Sequence, residues 1–334
     1  MKFGYSDTCL EHDTGGRHPE TPDRLRAIKR GLKRKHGVEY VEAEPANVAT
    51  IEAVHDPEYV DEIREFCASG GGNWDPDTVA VEETWDAAVQ SAGLAQWAAE
   101  AALDGASGRD TPFSLGRPPG HHALSDDAMG FCFFNNAAVA AQAALDRVER
   151  VAIIDWDVHH GNGTQEIFEE RDDIFYASIH EADLYPGTGA PEEIGTGEGE
   201  GATCNVPLPA GTDDAGYCYV LDEVLDPVIE RYDPELLLVS AGFDAHRHDP
   251  ISRMRVSTDG FGHLTIALRD LADALDAPIA FVLEGGYGLD TLSEGVSMVH
   301  EVFDGHTPVE PDGEPDEAVE TLVSALRDRH ALGS

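Results

Sequence analysis

Residues 155–160 read Asp-Trp-Asp-Val-His-His, two carboxylates and two imidazoles at the end of an apolar run. Val151, Ala152, Ile153 and Ile154 have the character of a buried strand. In an extended chain, residues two apart face the same side, so Asp155, Asp157 and His159 are expected to line one face. A bare carboxylate is too costly to bury unless something positive sits against it. Either this strand end is a solvated edge or it holds a cation. Asp244, which follows the apolar run LLLVSA, is the natural further ligand. Asp157, His159 and Asp244 together offer two carboxylates and one imidazole, the ligand count of a catalytic zinc with an open position. The imidazole favours zinc or ferrous iron over magnesium.

His121 and His122 stand together after Arg-Pro-Pro-Gly. Imidazoles suit the taking and giving of protons near neutral pH. Each needs an orienting acceptor, and Asp155 and Asn162 are the candidates. A histidine paired with aspartate is held more firmly as imidazolium than one paired with asparagine, which leaves the second as the freer base. Tyr287 lies in GGYG, where glycines permit a tight turn and a phenol can donate to an oxyanion. Alone, each residue has a blander reading: a solvated aspartate, a loop histidine bonded to backbone, a packed turn aromatic. The cluster outweighs these, because it would otherwise leave several charges at one buried edge uncompensated.

These residues need a scaffold that brings them together. PFSLG (112–116), the run ending at Ile154, LLLVSA (236–241) and PIAFVL (278–283) read as strands, each running into a polar or Gly-loosened tip. Helical patterns alternate with them: from Thr21-Pro22 to about Lys35, Ala46–His55, Pro57–Ala68, Glu83–Leu103, Asn136–Val148, Gly163–Glu170, Asp213–Arg231, Thr258–Leu275 and Leu289–Phe303. Strands are expected also at the start of the chain, over 151–157 and over Ile174–Ile179, with a long loop over 186–201. The alternation predicts an α/β fold with a mostly parallel sheet covered by helices on both faces. Ligands bind such sheets beyond the carboxyl ends of the strands, so all four tips should meet on one edge. One domain is expected over 1–303. The segment 304–334 reads as a polar linker, loose over 308–315, and a final amphipathic helix packed on the same domain.

The balance of charge is extreme. Asp and Glu number 65 against 22 Lys and Arg, for a formal charge of -43, and the four lysines all lie in the first 35 residues. Self-repulsion of this size is tolerable when salt screens it, which reads as adaptation to molar intracellular salt. Beyond LKRK at 32–35 there is no basic patch, so direct nucleic-acid binding is not expected. The five cysteines form no CxxC pair, which speaks against a disulfide framework and a cysteine-built zinc site. No run is long enough to span a membrane and the first residues lack a signal-peptide pattern, so a cytoplasmic location is expected.

The stretches HPETPDR, RPPGHHA, GFCFFNNAAVAA, DWDVHHGNGTQ, LYPGTG, VSAGFDAHRHDP and LEGGYG resemble, in order, the histone deacetylase superfamily, whose fold is the arginase/deacetylase three-layer sandwich. GFCFFNNAA, HHGNG and AGFDAHRHDP look more like its class II branch than class I. The resemblance implies zinc on Asp157, His159 and Asp244, with His121 and His122 as the tandem histidines and His122 the general base. Tyr287 would polarise the acetyl carbonyl; one branch has histidine there and deacetylates weakly. Phe131 and Tyr185 match the aromatics flanking the lysine channel, and Gly130 its wall. Asp75 aligns with an acidic rim residue that grips substrate backbone. The resemblance also implies a structural potassium held by the side chain and carbonyl of Asp155, the carbonyls of Asp157, His159 and Ile179, and the Ser178 hydroxyl.

The function so implied is removal of acetyl groups from lysine side chains of proteins or peptides. Acetylpolyamine hydrolysis is the rival, since it shares fold and chemistry. Polyamine-selective relatives can carry an acidic gatekeeper just after the Asp-Pro of the zinc-ligand loop, where this chain has Ile251. A non-catalytic acetyl-lysine binder is the alternative from another class, and the intact catalytic set argues against it. A dinuclear manganese hydrolase would need further aspartates beside Asp244, and none is found. Oligomeric state is left open by the sequence.

Overall fold

The computed structural model describes residues 1–311 and 313–332. The expectations for 308–315 and 304–334 therefore fall in part on residues 312, 333 and 334, outside the described ones. Eight strands form one sheet: β1 Lys2–Gly4, β2 Glu39–Val41, β3 Pro112–Ser114, β4 Val151–Asp155, β5 Ile174–Glu181, β6 Thr203–Leu208, β7 Leu236–Ala241 and β8 Ile279–Leu283. Their order is β2-β1-β3-β8-β7-β4-β5-β6 and every neighbouring pair is parallel. The four strands with polar tips, β3, β8, β7 and β4, are contiguous in its centre.

The central strands are buried along their whole length because both faces are covered. Alternate residues enter two different cores. Val151, Ile153, Leu236, Leu238, Ala280 and Val282 pack with the helices Pro57–Ala68, Thr84–Leu103 and Asn136–Ala144. Ala152, Ile154, Leu237, Val239, Phe281 and Leu283 face the other way, toward Asp23–Leu32, Thr258–Leu275 and Leu289–Phe303. This is the period-two pleat of a strand between two helical layers. The helix Glu317–Arg329 sends Val319, Val323 and Leu326 into the second core.

Several elements differ from the pattern. The helix expected over Ala46–His55 is one turn, Val48–Ile51, capped by Asn47, because the next helix must restart at Asp56-Pro57. The helical stretch after Asp213 is interrupted by a π-helical turn, Leu221–Leu225. Strands β2 and β6 have no counterpart in the sequence reading: both are sheet edges, too short or too polar to carry a periodic signal. The strand expected over 151–157 stops at Asp155, because there the chain leaves the ladder and bends toward the site.

Candidate active site

Glycines shape each tip of the sheet. At Gly242 an added Cβ would stand 2.0 Å from Asp157 Oδ2, and at Gly285 one would stand 2.2 Å from Asp244 Oδ2. Only a residue without a side chain lets these backbones approach the carboxylates. Asp157, His159 and Asp244 are all buried, and one ligand atom from each lies within 4.8 Å of the others. Backbone N–H groups aim the carboxylates: Val158 donates to Asp244 Oδ1 at 2.9 Å, His159 to Asp157 Oδ1 at 2.9 Å and Gly285 to Asp157 Oδ2 at 2.8 Å. Among the described residues no well-aligned hydrogen-bond donor meets the buried Asp244 Oδ2, although His159 Nδ1 stands 3.3 Å away. Such an atom calls for a partner.

The charges make the same demand. Burial opposes a charged His159, yet Asp157 at 3.0 Å and Asp244 at 3.3 Å raise it to about 10. Burial and the neighbouring Asp157 push Asp244 above the usual carboxylate range. Two carboxylates this close favour a cation, and the donor set of two oxygens and one imidazole nitrogen fits zinc or ferrous iron. Asp155, expected on the same face, is not part of this set. Its Oδ2 meets His121 Nδ1 at 3.0 Å and accepts the Tyr176 hydroxyl at 3.1 Å.

The tandem histidines have different acceptors. His121 pairs with Asp155; His122 Nδ1 stands 2.8 Å from Asn162 Oδ1. Burial works against a charged His121, but Asp155 and Asp157 overcome it and lift the imidazole to about 10. Burial and the nearby His121 and His159 hold His122 well below the ordinary histidine range. An amide oxygen only accepts, so Nδ1 of His122 carries the proton and Nε2 is left bare. His160 turns away, to Thr188 at 2.7 Å and Gln165 at 2.9 Å.

Tyr287 stands with its ring 5.8 Å from Phe131, and no described residue bonds its hydroxyl. Loss of water around it, with Asp244 and Asp157 nearby, holds the phenol well above its ordinary pKa, so it remains a donor. Phe131 and Gly130 both have left-handed backbone, with φ of 71° and 55°. A Cβ on Gly130 would strike the His122 ring at 2.4 Å. Tyr185, 41% exposed, sets its ring 5.2 Å from His122. Ile251 is partly exposed in the loop after Asp244. Asp75 is turned onto its own loop, where Oδ1 accepts the N–H of Asp77 and Thr78 and Oδ2 the Thr78 hydroxyl. Ser178 lies across from Asp155 in the β4–β5 register, its hydroxyl 2.9 Å from His180, and Ile179 follows it, buried.

Sequence reasoning missed the supports beneath these residues. Glu284 Oε2 accepts the N–H of Gly120 at 2.7 Å and of His121 at 3.2 Å, so it anchors the histidine loop from below. Arg24 donates to the carbonyls of Gly286 and Glu284. Glu20 meets Arg117 at 2.6 Å and Arg24 at 3.2 Å, all three buried. Glu20 and Arg24 fall in HPETPDR, Arg117 in RPPGHHA and Glu284 in LEGGYG, but nothing in a linear chain says which of them pair.

The chain is similar to known proteins over most of its length. The histone deacetylase domain model matches residues 18–303. A histone deacetylase-like amidohydrolase of Pseudomonas aeruginosa is 41% identical over 312 residues, covering 85% of this chain and 81% of the relative. A probable deacetylase of Methanothermobacter thermautotrophicus is 40% identical, covering 93% of each chain. An acetylpolyamine amidohydrolase of Burkholderia pseudomallei is 46% identical over 63% of this chain and 60% of its own. The crystal structure of the HDA15 HD domain superposes with a TM-score of 0.92 at 35% identity, covering 98% of this chain and 93% of that one. Sequence, fold and the convergent strand tips agree: the chain belongs to the histone deacetylase family and is a hydrolytic deacetylase.

Proposed function

We propose that this enzyme removes acetyl groups from lysine side chains of proteins or peptides, with zinc, or ferrous iron in its place, held by Asp157, His159 and Asp244. The observation that carries the reading is the meeting of that buried ligand set with His121 on Asp155, His122 on Asn162 and a Tyr287 hydroxyl that no described residue bonds. When bound, the metal supplies Lewis acidity and lowers the pKa of water to about 7. Nε2 of His122 takes the proton of the attacking water and passes it to the departing lysine amine. Asp155 keeps His121 protonated beside it. Tyr287 donates to the carbonyl oxygen as negative charge gathers there. Phe131 and Tyr185 would flank the apolar stem of the lysine, a surface suited to methylenes.

Ile251 favours a peptide over a polyamine, because it sets no carboxylate where a distal ammonium would need one. Hydrolysis of acetylpolyamines is the second reading, supported by the Burkholderia relative and the acidic surface. Initial rates on acetyl-lysine peptides and on acetylated polyamines, in molar KCl, separate the two. A higher kcat/KM on the polyamines would overturn the lysine reading. A potassium ion beside Asp155, involving Ser178 and the carbonyls of Asp157, His159 and Ile179, belongs to the same proposal. Equal stability in potassium and in choline salt at matched ionic strength would remove it. A cytoplasmic location is likewise proposed, and cell fractionation tests it. Among the described residues no helix is long and apolar enough to cross a membrane.

A further inference from the structure

No described residue bonds the Tyr287 hydroxyl, so the aim of the phenol depends on how its backbone is fixed. The fixing comes from two sides. Arg24 donates to the carbonyls of Glu284 and Gly286, and its guanidinium lies 5.0 Å from the centre of the Tyr287 ring. On the other side is Asp249, five residues beyond Asp244 and 7% exposed. Its Oδ2 accepts the N–H of Tyr287 at 2.7 Å and of Gly288 at 2.8 Å. Its Oδ1 accepts the N–H of Ile251 at 3.1 Å.

We propose that Asp249 is a positioning residue for the reaction: one carboxylate ties the loop after β7 to the loop after β8, aiming the Tyr287 phenol with one oxygen and fixing Ile251 with the other. The two loops leave adjacent parallel strands. The first carries a metal-ligand candidate and the second the hydrogen-bond donor to the oxyanion, so the clamp sets the distance between them. Three N–H donors converge on one buried carboxylate, and among the described residues no basic side chain bonds it. Charge-assisted bonds of this kind are strong and directional. Gly286, with φ of +114°, makes the donor loop one that needs such a clamp, since the hinge beside Tyr287 is a residue of wide conformational freedom.

The inference rests on the reading of Tyr287 as the oxyanion donor, and a double-mutant cycle tests the two separately. Asp249→Asn turns an N–H donor toward one set of backbone donors and breaks half the clamp. The measurement is kcat on an acetylated-lysine peptide for wild type, Asp249→Asn, Tyr287→Phe and the double variant, with thermal unfolding as the control for folding. Asp249→Asn is expected to lower kcat by about 10- to 100-fold, the scale of a misplacement of about 1 Å. In the Tyr287→Phe background the same change should have less than about a twofold effect, because residues acting as a unit are not additive. An equal loss in both backgrounds, or no loss in the first, overturns the role of Asp249. Full activity of Tyr287→Phe instead overturns the reading of Tyr287. If Asp249→Asn does not fold, Asp249→Glu, with the charge kept and the oxygens displaced, takes its place with the same criteria.

Discussion

Nδ1 of His121 lies 3.0 Å from Oδ2 of Asp155, whereas the next residue, His122, meets only the neutral amide of Asn162. The two adjacent imidazoles have ring centroids 4.0 Å apart, and their pKa values are pushed in opposite directions: against the cost of burial, Asp155 and Asp157 raise that of His121, while burial and the charges of His121 and His159 lower that of His122. A charged histidine beside a neutral one is the arrangement a water-activating site requires.

Asn162→Asp should narrow that difference. A carboxylate at Nδ1 would favour the imidazolium of His122 and raise its pKa by about one unit or more. A base must be neutral to act, so the acidic limb of kcat/KM against pH is expected to move up by a similar amount. An unmoved limb would show that His122 is not the base. His122→Ala should lower kcat by roughly a hundredfold or more.

The metal set allows a prediction that does not depend on turnover. Gly242→Ala places a Cβ against Asp157 Oδ2 and must displace a ligand. Zinc retained after dialysis, measured by elemental analysis, is expected to fall from about one per chain to a small fraction, with folding preserved. Chelation of the wild type should abolish hydrolysis, and added zinc or ferrous iron should restore it. Activity indifferent to chelator would contradict the metal reading.

Glu20 is the hub of a buried charge network, with Arg117, Arg24 and, at 3.6 Å, His12 around it. Burial raises its pKa, but Arg117 and Arg24 prevail and hold it at about 2. A depressed acid contributes stability that is full above its unfolded value of 4.5 and is lost as pH falls toward 2. Glu20→Gln leaves two buried guanidiniums without a counter-charge and is expected to cost about 3 kcal/mol or more, measured by denaturant unfolding at pH 7. The gap between wild type and variant should narrow as pH is lowered from 4.5 toward 2. A constant gap would place the effect elsewhere.

The formal charge of -43 makes salt a variable of the fold. Like charges repel over about 10 Å at 0.1 M salt and about 3 Å at 1 M. The unfolding temperature is expected to rise steeply between 0.1 and 2 M KCl, with most of the gain below about 1 M, where screening changes fastest. A flat profile would sink the inference of adaptation to molar salt.

The candidate residues could be picked out because they cluster locally: Asp157 and His159 two apart, His121 and His122 adjacent, Tyr287 between glycines, each just after an apolar run. Strand tips of a parallel sheet point one way, so convergence followed from the alternation of elements alone. The helices Thr258–Leu275 and Leu289–Phe303 were readable to the residue, since each is long, amphipathic and bounded by its own stop signals. What the chain could not reveal is which distant groups pair. Asp155 and Asn162 could be named as acceptors for the tandem histidines, but that Asp155 takes His121 and also Tyr176, and stays out of the ligand set, follows from the strand ending there and the backbone turning. Glu20 finds Arg117, and Asp249 finds Tyr287, across separations that no local pattern encodes. Residue type and spacing along one segment are properties of the chain itself. The partner of a buried charge is set by which segments the sheet order brings side by side, and that exists only in the folded molecule.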